Sequence, residues 1–427
     1  MFLPSVNIPF QAYPSFIAGA NILFACIYST TIRTHPRLLA FLRMTLSIPG
    51  TWAFIRFAWY NGYVRDHSRG TYLGMATMSL YGMMKLLEVC WIRELDDERP
   101  RWVLKPNAQE PEKVVLPIPT DVRGRLAYTF DYLSTIRGCS WFPDRVWDFA
   151  PPYASTYSPP NSSSRLAFLQ HQLISLSIQA LLMDVFDVFV KSIDWAHLAH
   201  TTPTPVTSLP LHLQITFSLA VLITTMLYLT LPYTVMTTIF VVSGAATASS
   251  CPPMFDSPFE SASLRDFWSF RWHHIFRRTF GRMGKPFLLL LPSSASPKTR
   301  RIARLAVTFF LSTTLHLLLL TTLPPLPPSS TNPNPQPFPF LDWNTIKFFL
   351  TQPLGLTLES VFIFPLTEGL SPRLKTTFRR AFAWSWLLFT GRYWSDSWTA
   401  KGLFNADSER PIIFSLVRGV LRGNWII

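Results

Sequence analysis

Between Thr201 and Phe255 the chain carries no aspartate, glutamate, lysine or arginine. About a quarter of the residues in an ordinary soluble domain are charged, so a run this long without one asks for a hydrocarbon solvent. It is long enough for two spans of about 20 residues each, with Pro232 between them as a break or kink. The pattern holds along all 427 residues, of which 48% are hydrophobic and only 15% charged. Whole-chain disorder, a coiled coil and a nucleic-acid-binding arm are thereby excluded, and no nucleic acid is expected as a partner. Alternation of polar and apolar residues is weak, which argues against an outer-membrane barrel. The expectation is an all-α polytopic membrane protein, one integral-membrane domain over residues 1–427.

The other apolar stretches are Phe10–Thr31, Tyr72–Ile92, Leu166–Val190, Leu305–Leu323 and Phe348–Leu366. The N-terminal stretch lacks the basic start and small-residue cleavage site of a signal peptide, so it reads as a retained first span. Ala381–Thr390 and Ile412–Val420 are too short to cross unaided and read as half-helices or the ends of tilted helices. About seven to nine spans result. Lys85 and Glu88 interrupt the second stretch three residues apart, a spacing at which they could pair on one helix face. Asp184 and Asp187 interrupt Leu166–Val190 and are weak candidates for an acceptor site. Thr321–Phe340, with eight prolines and no charge, reads as an extended linker. The four cysteines (Cys26, Cys90, Cys139 and Cys251) are far apart in sequence, which indicates neither a disulfide framework nor a zinc ribbon.

The net charge is +14, and its excess is concentrated. Residues 265–304 hold ten arginines and lysines against the single acid Asp266. The positive-inside rule puts such a block in the cytosol, along with Arg33, Arg37 and Arg43 after the first span. Converging guanidinium groups also suit phosphate oxygens. Within the block runs Phe267-Trp268-Ser269-Phe270-Arg271-Trp272-His273-His274-Ile275-Phe276-Arg277-Arg278. An interfacial belt of tryptophan and arginine accounts for much of this segment but poorly for the adjacent His273 and His274. His316 is the sharper signal, being the only ionisable residue between Arg304 and Asp342. A polar side chain inside a span is costly unless it faces a partner or cavity, and a neutral imidazole can take a proton from a hydroxyl.

At these residues the sequence resembles the membrane-bound O-acyltransferase family. It is most similar to the wax-synthase-like branch, which includes fungal enzymes that acetylate terpenoids and other secondary metabolites. Phe267-Trp268-Ser269-Phe270-Arg271-Trp272-His273 resembles that branch's Phe-Trp-x-x-Arg-Trp-His block, with His273 at the position of the active-site asparagine of other branches. Pro253, Phe255, Pro258 and Ser263-Leu264-Arg265-Asp266 fit the usual lead-in. His316, forty-three residues after His273, stands at the position of the family's catalytic histidine, and Glu359 resembles a polar position in the following span. Phe270-Arg271 departs from the more usual Arg-Arg pair, and a serine stands where glycine is common. The signature region covers residues 250–365.

The resemblance implies helices around a reaction chamber in a membrane such as that of the endoplasmic reticulum. Acyl-CoA enters as co-substrate rather than as a resident cofactor. His316 acts as base and His273 as oxyanion donor; Trp268, Arg271, Trp272, His274, Arg277, Arg278 and Glu359 bind substrate. Acetyl transfer to a lipophilic alcohol is favoured over long-chain wax ester synthesis. Membrane lipid and, as in some family members, a second copy of the chain are the further partners it implies. A transporter is the reading from another class, its path lined by Lys85, Glu88, Asp184, Asp187, His316 and Glu359. No metal site is expected. Asp194, His197 and His200 share a helical spacing but offer only three donors, and Asp96-Asp97-Glu98 reads as a salt-bridged surface.

Overall fold

A computed structural model describes residues 13–59, 69–96, 98–105, 114–159, 165–192, 206–323, 341–403 and 414–425. Asp97, Asn161 to Ser163 with their glycosylation sequon, Asp194, His197, His200 and most of the proline-rich linker lie outside the described residues. Within them the chain is almost wholly helical. The helices are α1 (Tyr13–Thr30), α2 (Pro36–Trp59), α3 (Arg69–Cys90), α4 (Val122–Ser134), α5 (Arg165–Ser192) and α6 (Leu211–Val242). They continue with α7 (Arg277–Leu289), α8 (Pro297–Thr321), α9 (Trp343–Leu358), α10 (Pro372–Ala400) and α11 (Leu416–Arg422). One antiparallel pair, β1 (Trp102–Leu104) and β2 (Arg145–Trp147), aligns Val103 with Val146.

Among the described residues five helices are long and apolar enough to cross a membrane: α2, α5, α6, α8, and α9 with its continuation to Thr367. The 18-residue α1, which carries no charged residue, and the more polar α3 and α10, of 22 and 29 residues, pack beside them. The all-α polytopic reading stands, with three local corrections. α2 has no counterpart among the expected spans, because Arg37, Arg43 and Arg56 break its apolar run. Arg43 is nevertheless buried, paired with Glu94 at 2.6 Å. The charge-free stretch holds one 32-residue helix, α6, rather than two, and it runs unbroken through Pro232. A proline is tolerated inside an apolar helix when neighbouring groups take up the freed carbonyl. Ala381–Thr390 is the middle of the 29-residue α10, neither a half-helix nor a helix end. Its flanking arginines hid the helix's length: Arg380 reaches the Glu260 carbonyl at 2.8 Å and Arg392 the Gln214 amide at 3.1 Å.

α1, α2 and α3 form one packed group, and α3 joins it to α7 and α8. The chain then closes through α8–α9, α9–α10, α10–α6 and α6–α5 contacts. α9 and α10 approach closely at Gly355, where a Cβ would lie 2.4 Å from Trp386 Nε1. The loops collect at two ends. At one, Trp59 bonds Thr321 at 3.2 Å, Arg69 bonds the Lys401 carbonyl at 2.6 Å, and Asn344 bonds Asp396 at 2.5 Å. At the other, the basic end, Lys105 reaches the Ser249 carbonyl at 2.7 Å and Arg282 reaches Asp96 at 2.6 Å. α8 therefore carries its polypeptide from the basic end toward the other, with His316 in its second half.

Candidate active site

The signature segment is a helix built around a wide turn. Ser263 caps its start by accepting from the Asp266 amide at 2.9 Å. Residues Phe267–Arg271 then form a π turn, closed by Trp272 N–H on the Phe267 carbonyl at 2.8 Å. The extra residue per turn brings side chains five apart onto one face, and the Phe267 and Trp272 rings stack at 5.0 Å. His273 follows where the chain leaves the helix, among Phe255, Trp272 and Phe276.

Glu359 holds this segment in place. It lies fully buried in a second π turn, Glu359–Ile363, directly after α9. Its carboxylate accepts from the Leu264 amide at 2.7 Å and the Arg265 amide at 3.0 Å. A negative group at a helix N-terminus satisfies otherwise unpaired amides and the helix dipole together. Both oxygens are thus engaged by backbone, and Glu359 holds the segment that carries His273. Glu359→Ala is expected to cost about 2–4 kcal/mol through two stranded amides, and Glu359→Gln less, since one acceptor remains. Thermal unfolding of the purified variants checks the order.

His316 has a defined tautomer. Its Nδ1 lies 2.7 Å from the Ser312 carbonyl, one turn back on α8. A carbonyl only accepts, so Nδ1 carries the hydrogen and Nε2 keeps its lone pair. No partner for Nε2 is present among the described residues. The ring stacks on Phe349 at 4.4 Å and meets Trp394 edge-on at 4.8 Å, which fixes its plane. Trp268 belongs to the same wall, against Phe309 at 5.7 Å and Phe348 at 6.4 Å. Its indole N–H reaches the buried Gln352 at 3.3 Å, which in turn donates to Thr390 at 3.0 Å.

His273 and His316 lie within the bundle and, like Trp268 and Trp272, are partly rather than fully buried. Burial, then the proximity of His316 and His274, pushes His273 down to about 3, so its imidazole is neutral. Its Nδ1 is buried without a partner among the described residues. Leu311, Leu315 and Leu319 of α8, Tyr72 and Leu80 of α3, and Trp398 of α10 supply the surrounding apolar packing.

Three other expected contacts turn elsewhere. His274 is buried, with Nε2 2.9 Å from the Phe270 carbonyl. Arg271 binds Asp266 at 2.9 Å and the Asp256 and Ser257 carbonyls at 3.2 Å, pinning the lead-in loop. Arg278 binds Glu88 at 2.7 Å and covers the Phe149 ring. Buried charges need such partners, and these are not presented to a phosphate. Arg277 alone of the three expected arginines is exposed without an ion pair among the described residues.

Lys85 does not pair with Glu88 but donates to the Thr135 and Leu133 carbonyls at the end of α4. Asp184 caps α11 through Ser415 and the Val417 amide, and Asp187 binds Lys191 and Arg418. Each polar residue of the transporter reading other than His316 therefore has a protein partner among the described residues. Arg137, which no local pattern singled out, is buried and donates to the Pro252, Pro253 and Met254 carbonyls and to Tyr153. Its carbonyl partners lie over a hundred positions away, so only the fold reveals that it clamps the lead-in loop.

The site is a bundle of apolar helices with two partly buried imidazoles, His273 and His316, between its basic end and its interior. Residues 251–333 match the model of the membrane bound O-acyl transferase family. The chain is 24% identical to acetyltransferase ple2 of Rhodocybe pseudopiperita over 296 residues, 65% of this chain and 69% of that one. It is 26% identical to acetyltransferase ataH of Aspergillus terreus over 160 residues, 36% of this chain and 48% of that one. It is 40% identical to O-mevalon transferase macI of Penicillium terrestre over 58 residues, 14% of each chain. The chain is thus similar to membrane-bound O-acyltransferases over residues 251–333, and to relatives named as acyl-group transferases.

Proposed function

We propose that the protein transfers an acetyl group from acetyl-CoA to a hydroxyl of a lipophilic terpenoid or similar secondary metabolite, with His316 as general base. The observation that carries the reading is the tautomer of His316. With Nδ1–H held by Ser312, the free Nε2 is left as a proton acceptor inside an aromatic wall. The acceptor hydroxyl loses its proton to Nε2 while its oxygen attacks the thioester carbonyl carbon. The resulting oxyanion collapses, the C–S bond breaks, and the CoA thiolate takes the proton back from the imidazolium.

His273 is the proposed oxyanion donor. A hydrogen on Nε2 leaves the buried Nδ1 as a bare lone pair, the cheaper group to bury, and makes Nε2 the donor. The two histidines then carry opposite tautomers for opposite tasks. Trp268 and Trp272 form the wall, and the exposed Arg277 is the remaining candidate for a CoA phosphate. Two relatives named acetyltransferases support the choice of donor. The membrane of the endoplasmic reticulum is the proposed setting, where cytosolic acyl-CoA and a membrane-dissolved alcohol meet.

The test is free-CoA release by purified protein given acetyl-, butyryl- or palmitoyl-CoA with a panel of lipophilic alcohols. Acetyl-CoA is expected to be the fastest donor, and only with alcohol present. Preference for palmitoyl-CoA would replace this reading with long-chain wax ester synthesis.

A further inference from the structure

The molecule has a second basic feature, away from the active site. At the basic end, between the α1–α2 turn and the chain after α3, a recess of about 360 Å³ is lined by Arg33, Arg43, Arg93, Arg99 and Arg101. Ile32, Leu39 and Ile118 supply its apolar side.

Arg43 is buried, with one nitrogen on Glu94 at 2.6 Å and its Nε buried without a partner. Arg99 is anchored to the Thr30 carbonyl at the end of α1, at 3.1 Å. Arg33 and Arg101 are exposed and make no ion pair among the described residues. Guanidinium groups gathered this closely repel one another, and an anion between them removes the repulsion. The volume falls in the range of small-ligand sites.

The recess also adjoins a lipid-facing surface. Leu38, Phe41 and Leu42 of α2 are 56%, 65% and 44% exposed, on a helix apolar enough to cross a membrane. A ligand whose charged head fills the recess can therefore lay hydrocarbon along α2. We propose that the recess binds the phosphate headgroup of an anionic membrane phospholipid, its oxygens forked by the arginines and its acyl chains against Leu38, Phe41 and Leu42. A phosphate of CoA offers the same oxygens without the chains. The site is independent of the acyl-transfer reading.

The experiment uses the full chain in neutral detergent, with native mass spectrometry and thermal unfolding in the presence of phosphatidic acid, phosphatidylcholine or CoA. Arg33 and Arg101 are changed together because both are exposed and the fold does not depend on them. Phosphatidic acid is expected to remain bound and raise the unfolding temperature, and phosphatidylcholine to do neither. The Arg33→Gln/Arg101→Gln pair is expected to weaken phosphatidic acid by about tenfold or more, and the Arg33→Lys/Arg101→Lys pair by less, since charge remains without the fork. Unchanged phosphatidic acid binding in the glutamine pair overturns the proposal. So does a glutamine pair that loses CoA affinity while keeping the lipid, which would make the recess a nucleotide-phosphate site.

Discussion

Replacing His316 by alanine is expected to lower kcat by about a hundred- to ten-thousand-fold, the range a positioned general base contributes. Alanine also leaves a hole between Phe349 and Trp394, so the decisive companion is His316→Gln. Glutamine fills much of the same volume and can still donate to the Ser312 carbonyl, but it cannot take a proton. Both variants should bind acyl-CoA with little change in KM, because His316 acts on the acceptor's proton and not on the CoA moiety. Single-turnover CoA release separates the chemical step from binding. A glutamine variant as fast as the native enzyme would dismiss His316 as the base and with it the mechanism.

His273→Leu should cost about a hundred- to a thousand-fold in kcat, the usual loss when one oxyanion donor is removed. His273→Asn restores a side-chain N–H at nearly the same reach and should recover part of that loss. A purely structural role would predict no such rescue. Because burial holds His273 down near 3, the rate should show no titration of this group between about pH 5 and 9. The same shift bears on stability. As pH falls from the ordinary imidazole value of 6.5 toward 3, the unfolded chain takes up a proton that the folded chain refuses, so folding weakens with acid over that window. Full activity of His273→Leu would remove the donor assignment and leave the base untouched.

His316 was legible in the sequence because isolation is a one-dimensional property: one imidazole in an apolar run stands out without knowledge of its neighbours. The Trp268–His273 block was legible as a pattern, and the structure puts Trp268, Trp272 and His273 together in one interior region with His316. The roles of Glu359, Arg271 and Arg278 were not legible. Each is a charged side chain near a proposed ligand, and sequence cannot distinguish a charge offered to substrate from one already used by backbone or by a distant acid. Gln352 carried a faint signal, seven residues and two helical turns before Glu359 and so on the same face of a span that holds few other polar groups.

The spans divide in the same way. Hydropathy pointed to a membrane protein and weak polar–apolar alternation to helices rather than a barrel, the two ways a chain can satisfy its backbone in lipid. It failed at α2 and α10, whose arginines are neutralised or bound by residues far along the chain. It overcounted in the stretch that became α6, where uncharged proline-, serine- and threonine-rich loops look as apolar as a helix. What the sequence by itself determined was therefore the solvent this protein folds in and the imidazole, His316, that stands alone in an apolar run. What only the tertiary structure decided was which charges are spent on holding the fold and which remain for chemistry. Partner choice among buried charges depends on distances across the bundle that no local pattern contains.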